Sequence, residues 1–366
     1  MYHSVFNYGL SFETSELMVD ADWDDFVAAA PGGCHMQACF WAAFKAEAGW
    51  RPLRVIIRKD GEIVAGAQML MRNLGNVFNV AAAFQGPILR EGILGAQESL
   101  VGALLELVHS HHIQYLVVEQ ARWNVPSVEF RKWGFQNGYI LSDRRATVIL
   151  DLTVGPASCL LRMKRTTRNN VRIAESMGVH VREGDADDIP RFCQLLELTG
   201  QRRHFFPESL DYYLAMWHHL APLNRVKLFL SERNHVLISG LLTIPFGDTV
   251  VGKRFAWSGE QKWARPNELL YWKAIEWAIK HGYSRFDFDG IDFSAAEALY
   301  NSLALPKSAV SSPTRFKLGF GGRIVFLPRS LEYVRSRSLR VLLRSVAGIL
   351  GRSRLRDALY RTILRR

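Results

Sequence analysis

One order of secondary structure is written twice in this 366-residue chain, and the repetition restricts its possible folds more than composition does. In the first half, Leu53 to Ile57 and Ile63 to Leu70 are apolar runs joined by Asp60-Gly61, a dipeptide that supplies the positive φ angles of a tight hairpin turn. A strand from Phe78 to Leu89, an amphipathic helix from Ser99 to His109 and a strand from Gln114 to Glu119 follow. In the second half, Arg225 to Leu230 and Val236 to Thr243 flank a turn at Arg233-Asn234, with Gly240 standing where Gly66 stands. Leu269 to Lys280 then repeats the helix, and Ser284 to Asp289 the strand after it. Hairpin, strand, helix and returning strand predict a mixed α/β sheet with helices on its faces, made twice.

Length agrees, since 366 residues exceed the usual size of one domain. Gly155-Pro156 marks a break, so the boundary is expected between 152 and 153, giving domains 1–152 and 153–326. Two further helices, Asp22 to Ala30 and Gln37 to Ala48, precede the first hairpin. The four cysteines, Cys34, Cys39, Cys159 and Cys193, form no Cys-x-x-Cys pair, and no matched Cys/His spacing suggests a metal. A reducing cytoplasm is the expected compartment, because the N-terminus carries Glu13, Glu16, Asp20 and Asp22 instead of a basic leader, and no apolar run reaches membrane-spanning length.

The stretch from Tyr283 to Arg323 carries the chemistry. Phe286 and Phe288 alternate with Asp287 and Asp289, so a strand here would send the aromatics to one face and the carboxylates to the other. Downstream, Lys317 sits between Phe316 and Leu318 in a short apolar run that stops at Gly319-Phe320-Gly321-Gly322. Two readings of Lys317 are open: an outward-facing strand lysine, or an ammonium at the sheet's end that stabilises charge on an attacked carbonyl. Asp289 is likewise either an acid that orients or deprotonates an acceptor amine, or a strand carboxylate paired with an arginine.

The sequence from Phe286 to Ile291, a spacer and then Phe316-Lys317-Leu318-Gly319-Phe320-Gly321-Gly322 resembles the closing signature of the Fem family of nonribosomal peptidyltransferases. The resemblance reaches upstream through Pro266 to Ala278 and Met163 to Ala174, and is weaker in the N-terminal third. It implies two GNAT-like acyltransferase domains in tandem, with the C-terminal helices of 327–366 returning to the first. No long heptad stretch stands for the helical arm that many members carry, so an armless member is expected. The implied reaction moves an amino acid from aminoacyl-tRNA to an amine, on a peptidoglycan precursor or a related peptide acceptor. No bound cofactor is expected, and the protein is expected to be a monomer.

Carried over residue by residue, the resemblance assigns Lys317 to the reacting carbonyl with Phe316 beside it, and Lys45, in a Trp41-x-x-x-Lys45 pattern, to an acceptor phosphate. Tyr213 falls at or beside a tyrosine of the same role. Four residues earlier, where the family pattern has an arginine, this chain has Ser209, and Arg202-Arg203 is the nearest compensating charge. Lys164, Arg168 and Arg172 are spaced by four in a helix expected over Cys159 to Met177, which would align them for contact with tRNA phosphates, or as a solvated basic face.

Of the formal charge of +11, the segment from Leu327 to Arg366 supplies +9, with eleven arginines against Glu332 and Asp357. Such asymmetry points to an anionic partner, nucleic acid or the inner membrane surface, with a solvated tail as the alternative. An acyl-CoA-dependent N-acyltransferase is the competing enzymatic reading. Its pyrophosphate loop would have to be Arg72 to Val77, which lacks the final small residue.

Overall fold

The computed structural model describes residues 9–75, 77–120, 128–138, 145–301, 303 and 313–350. The chain divides into two compact units, residues 1–143 with 327–366, and Arg144–Phe326. In chain order the first unit contributes β1 (Leu10–Ser15), α1 (Ala21–Ala29), α2 (Cys39–Ala46), β2 (Arg51–Lys59), β3 (Glu62–Leu74), β4 (Phe78–Phe84), β5 (Ile88–Leu89), α3 (Ala96–Ser110), β6 (Ile113–Glu119) and β7 (Gln136–Asn137). The second contributes β8 (Ala146–Asp151), α4 (Gly155–Arg162), α5 (Arg165–Ser176), β9 (His180–Gly184), α6 (Ile189–Arg203), α7 (Leu210–Leu220), β10 (Lys227–Arg233), β11 (Val236–Phe246) and β12 (Thr249–Trp257). It continues with α8 (Pro266–Lys280), β13 (Arg285–Asp287), α9 (Phe293–Tyr300), α10 (Pro313–Leu318) and β14 (Arg323–Phe326). The chain then re-enters the first unit as β15 (Leu331–Val334) and α11 (Arg337–Leu350).

The repetition seen in the sequence is a repetition of sheets. The first runs β1-β2-β3-β4-β6-β15-β7, with β5 on β3, and the second β9-β10-β11-β12-β13-β8-β14. In each, an antiparallel meander passes through a helix, α3 or α8, to a strand parallel to its last member, β6 beside β4 and β13 beside β12. Alternation along the hairpin explains why both faces are covered. Ala65, Ala67 and Met69 of β3 join Leu100 and Leu104 of α3 in one core, whereas Gly66 faces the other way, towards Trp23 of α1. In the second unit Leu241 joins Leu270 and Ala274 of α8, and Gly240 faces Phe192 of α6. The two glycines oppose Ile56 and Leu230 at matching places in their hairpins, and each leaves room for an aromatic ring.

The position between the returning strand and the edge strand is filled by an exchange. β8 follows β7 in sequence but pairs with β13 and β14 in the second sheet. β15 follows β14 but pairs with β6 and β7 in the first. The boundary expected after residue 152 is therefore corrected: the strand assigned to the end of the first domain belongs to the second unit's sheet. Its residues are buried from Ala146 to Leu150, and a strand buried on both faces carries no local mark of its neighbours. The segment 327–366, read as helices, contains strand β15, too short at four residues for periodicity to reveal. The last helix expected, around Leu355 and Leu359, lies outside the described residues. The helix expected over Cys159 to Met177 is two, because Met163 takes an extended conformation between α4 and α5.

A Cβ on residue 240 would lie 2.7 Å from Phe192 and 3.0 Å from Leu230. Gly240→Ala is therefore expected to destabilise the protein by about 1–3 kcal/mol through overpacking. Gly66→Ala should cost more, because its Cβ would also meet the Val55 carbonyl oxygen at 2.6 Å, and backbone cannot swing aside. Urea denaturation of the two variants checks the order.

Candidate active site at a parted strand pair

The two parallel pairs end differently. In the first unit β4 and β6 pair to their last residues, Phe84 opposite Glu119, and the Gly86 N–H adds a bond to the Glu119 carbonyl at 3.0 Å. In the second unit β12 pairs with β13 only from Thr249 to Val251, although β12 continues to Trp257. Beyond Asp287 the chain leaves β12 and follows β8, with Phe288 N–H on the Val148 carbonyl at 3.0 Å and Ile291 N–H on that of Ala146 at 2.9 Å. The two parallel strands therefore part beyond Val251, the kind of place where a ligand can reach between strands.

The acids of the Phe-Asp-Phe-Asp run shape this parting. Asp287 is fully buried, and its Oδ1 accepts from the Thr147 hydroxyl at 2.5 Å and from the Asp289 N–H at 2.8 Å. Asp289, itself buried, has φ of 57°, a left-handed turn that carries the backbone off the strand line. The expected face of carboxylates is corrected here: the strand stops after three residues, Asp287 turns inward as a clasp on β8, and Asp289 is not on a strand. Phe286 and Phe288 do enter the core, as alternation required.

Lys317 is on helix α10, not on a strand. Its half-buried side chain reaches back so that Nζ donates to the carbonyl oxygens of Asp289, at 2.9 Å, and Gly290, at 2.8 Å. An ammonium is thereby fixed where the strands part, on the turn that Asp287 anchors. The glycine run explains how α10 arrives there. A Cβ at Gly321, with φ of 83°, would lie 2.3 Å from the Arg162 carbonyl oxygen, so only glycine lets the chain pass so close to the end of α4.

Tyr271 of α8 forms an aromatic wall with residues from three segments. It stacks on Phe288 at 5.6 Å and meets Phe316 edge-on at 5.2 Å, while Phe255 and Phe320 lie at 5.6 and 5.7 Å. Burial, reinforced by the Asp289 carboxylate, pushes its phenol well above the usual tyrosine range, so Tyr271 stays neutral. On β12, past the point where β13 departs, Arg254 pairs with Glu208 at 3.2 Å, and Glu208 accepts from the Tyr213 hydroxyl at 3.2 Å. Arg254 is also within electrostatic reach of Asp289. Tyr213 is completely buried against Phe192 and Tyr212, and burial raises its phenol as well.

Arg202, which could compensate for Ser209, is engaged elsewhere in the structure. Its guanidinium lies over the Trp257 ring, 4.9 Å from the centroid, and donates to the Trp257 carbonyl and the Thr199 hydroxyl. Ser209 caps α7, accepting from the Tyr212 N–H at 3.3 Å, and the cation beside Tyr213 is Arg254. Sequence reasoning passed over Arg254, Glu208, Tyr271 and Thr147. One signal was present: Lys253-Arg254 interrupts an apolar strand between Val251 and Phe255.

The basic helix divides differently from expectation. Lys164 stands at the N-cap of α5, and Arg168 turns back to donate to the carbonyls of Leu160 and Leu161, both at 3.1 Å, so it closes the end of α4. Arg172 is exposed. The three therefore do not make one phosphate-facing row. Trp41 and Lys45 belong to α2 of the first unit, where both are buried, with Lys45 Nζ 5.6 Å from the Phe44 ring centroid. Among the described residues, no group of three or more His, Cys, Asp or Glu side chains is placed to hold a metal ion.

Residues 162–296 match the family described as an acetyltransferase (GNAT) domain. The Lipid II:glycine glycyltransferase of Staphylococcus saprophyticus is 25% identical over 227 residues, 58% of this chain and 54% of that protein. Its counterpart in Staphylococcus aureus MRSA252 is 24% identical over 227 residues, covering 58% and 53%. The chain thus spans about half the length of the curated relatives it matches. Among solved structures, FemX superposes with a TM-score of 0.77 at 18% identity, over 90% of this chain and 99% of FemX. A tandem GNAT protein from the clavulanic acid biosynthesis pathway gives 0.52 at 11% identity, over 89% and 99%. The fold is that of two GNAT-like domains in tandem.

Asp287→Ala removes a buried acceptor from two hydrogen bonds and leaves the Asp289 N–H without its partner. A loss of about 2–4 kcal/mol in urea denaturation is expected, with a smaller loss for Thr147→Val, which removes one donor.

Proposed function

We propose that this chain is a tandem GNAT-like member of the Fem family and transfers an amino acid from aminoacyl-tRNA to the amine of a peptidoglycan precursor or a related peptide acceptor. The observation that carries the reading is the ammonium of Lys317, fixed at the parting of β12 and β13 beside the wall of Phe316 and Tyr271. The names of the relatives support an acceptor of this class, since they are glycyltransferases acting on Lipid II.

An aminoacyl ester is already activated, so the protein need supply only position and charge. The acceptor nitrogen attacks the ester carbonyl and forms a C–N bond. Negative charge grows on the carbonyl oxygen, and Lys317 is the cation available to stabilise it. The C–O bond to the tRNA ribose then breaks. The amine loses one proton, and the departing ribose hydroxyl takes one up. The Asp289 carboxylate orients the acceptor amine or receives its proton as a general base. Arg254 offers a cation for an acidic group of the acceptor.

Two features count against acyl-CoA as donor. The first turn of α8 carries Glu268, to whose carboxyl Asn170 donates at 2.8 Å. An acid at a helix N-terminus opposes the binding of a pyrophosphate there. In addition, Arg72 to Leu74 is the end of strand β3, so the loop considered for pyrophosphate opens no helix.

Purified protein incubated with charged tRNA bearing labelled amino acids and a panel of amine acceptors, peptidoglycan precursors included, should give a product whose formation RNase abolishes. Lys317→Ala should lower kcat about 10²–10³-fold. Lys317→Arg should recover part of the loss, and the melting temperature of each variant reports any change in fold. Product that survives RNase and requires acyl-CoA would assign the other donor.

A further inference from the structure

We propose that helix α11 is a docking surface for an anionic lipid bilayer. The helix spans fourteen residues, Arg337–Leu350, that include Arg337, Arg340 and Arg344 and no acid. At 100° per residue, Leu339, Leu342 and Leu343 fall on one side and Arg337 and Arg340 on the other. A helix of this pattern in a globular domain normally buries its leucines. Here Leu339 and Leu343 are only half-buried, and Leu342 is 58% exposed.

The start of the helix is anchored, so this face is presented in a fixed way. Arg340 donates to the Val334 carbonyl of β15 at 2.8 Å, and Ser336 accepts from the backbone N–H groups of Leu339 and Arg340. β15 is held between β6 and β7.

Charge selects the occupant. The segment from Leu327 to Arg366 carries +9, so a second copy of the chain would set like charge against like charge. RNA would match the arginines yet leave the leucine side in water. A bilayer rich in anionic lipid meets both sides: the leucines enter the boundary between headgroups and acyl chains, and the arginines stay at the phosphate level. No described helix is long and apolar enough to cross a membrane, so contact of this kind is made along the surface. The inference is independent of the transfer reaction, because lipid binding is read without donor or acceptor.

The test is co-sedimentation of the full chain with vesicles of phosphatidylcholine alone or mixed with phosphatidylglycerol, at about 0.1 M salt. Partitioning at least tenfold stronger into the anionic vesicles is expected. Leu342→Glu and Arg337→Glu, both at exposed positions, should each weaken it about tenfold or more while leaving the thermal melt unchanged. The proposal fails if neither vesicle is bound, if both are bound equally, or if Leu342→Glu has no effect. Capture of tRNA without vesicle binding overturns it too, as does a dimer in light scattering that Leu342→Glu dissolves.

Discussion

A single buried carboxylate, Asp287, decides where the second sheet stops being a sheet. By accepting from Thr147 on the neighbouring strand and from the N–H two residues ahead, it ties the end of β13 to β8 and turns the backbone away from β12. Burying an acid is costly unless its oxygens are satisfied, and here the donors that satisfy it are the ones that set the turn. Everything proposed for the site rests on that turn. The carbonyls of Asp289 and Gly290 that hold Lys317 exist as acceptors because the strand has ended, and Arg254 lies on a stretch of β12 that β13 no longer covers.

The same scaffold without that clasp behaves differently. In the first unit the corresponding strands stay paired to their ends, so among the described residues that copy of the fold shows no such parting. The two units share equivalent frames, each built on a glycine facing an aromatic ring, at Gly66 with Trp23 and at Gly240 with Phe192. The difference between them comes from a few polar side chains. The exchange of β8 and β15 adds a further link, because the strand that receives the Asp287 clasp comes from the chain just after the first unit, and the chain end that carries α11 is committed to the first sheet.

Much of the frame was legible in the sequence because it rests on local physics. Asp60-Gly61 makes a hairpin turn and the paired glycines mark equivalent strands; amphipathic periodicity identifies both α3 and α8. The exchange was not legible, since a strand such as Ala146–Asp151 specifies that it is buried but not which neighbours bury it. Short segments misled for the same reason. Alternation in Phe286 to Asp289 holds for a strand of any length, yet the strand ends at Asp287, and the six residues around Lys317 suit a short helix as well as a strand. At the site, Lys317 and Asp289 were found by pattern and do meet, through the Asp289 backbone carbonyl. Arg254 and Glu208 were missed, because nothing in either neighbourhood indicates that residues 46 apart form a pair.

The most direct measurement is a structure of the chain bound to a stable aminoacyl-nucleoside analogue, with an amide in place of the reactive ester. The analogue's carbonyl oxygen is expected where β12 and β13 part, within hydrogen-bonding distance of Lys317 Nζ, about 3 Å, and its amino-acid side chain against Tyr271 and Phe316. An analogue bound elsewhere, with Lys317 still on the carbonyls of Asp289 and Gly290 and not in contact with it, would contradict the assignment of this parting as the place of acyl transfer.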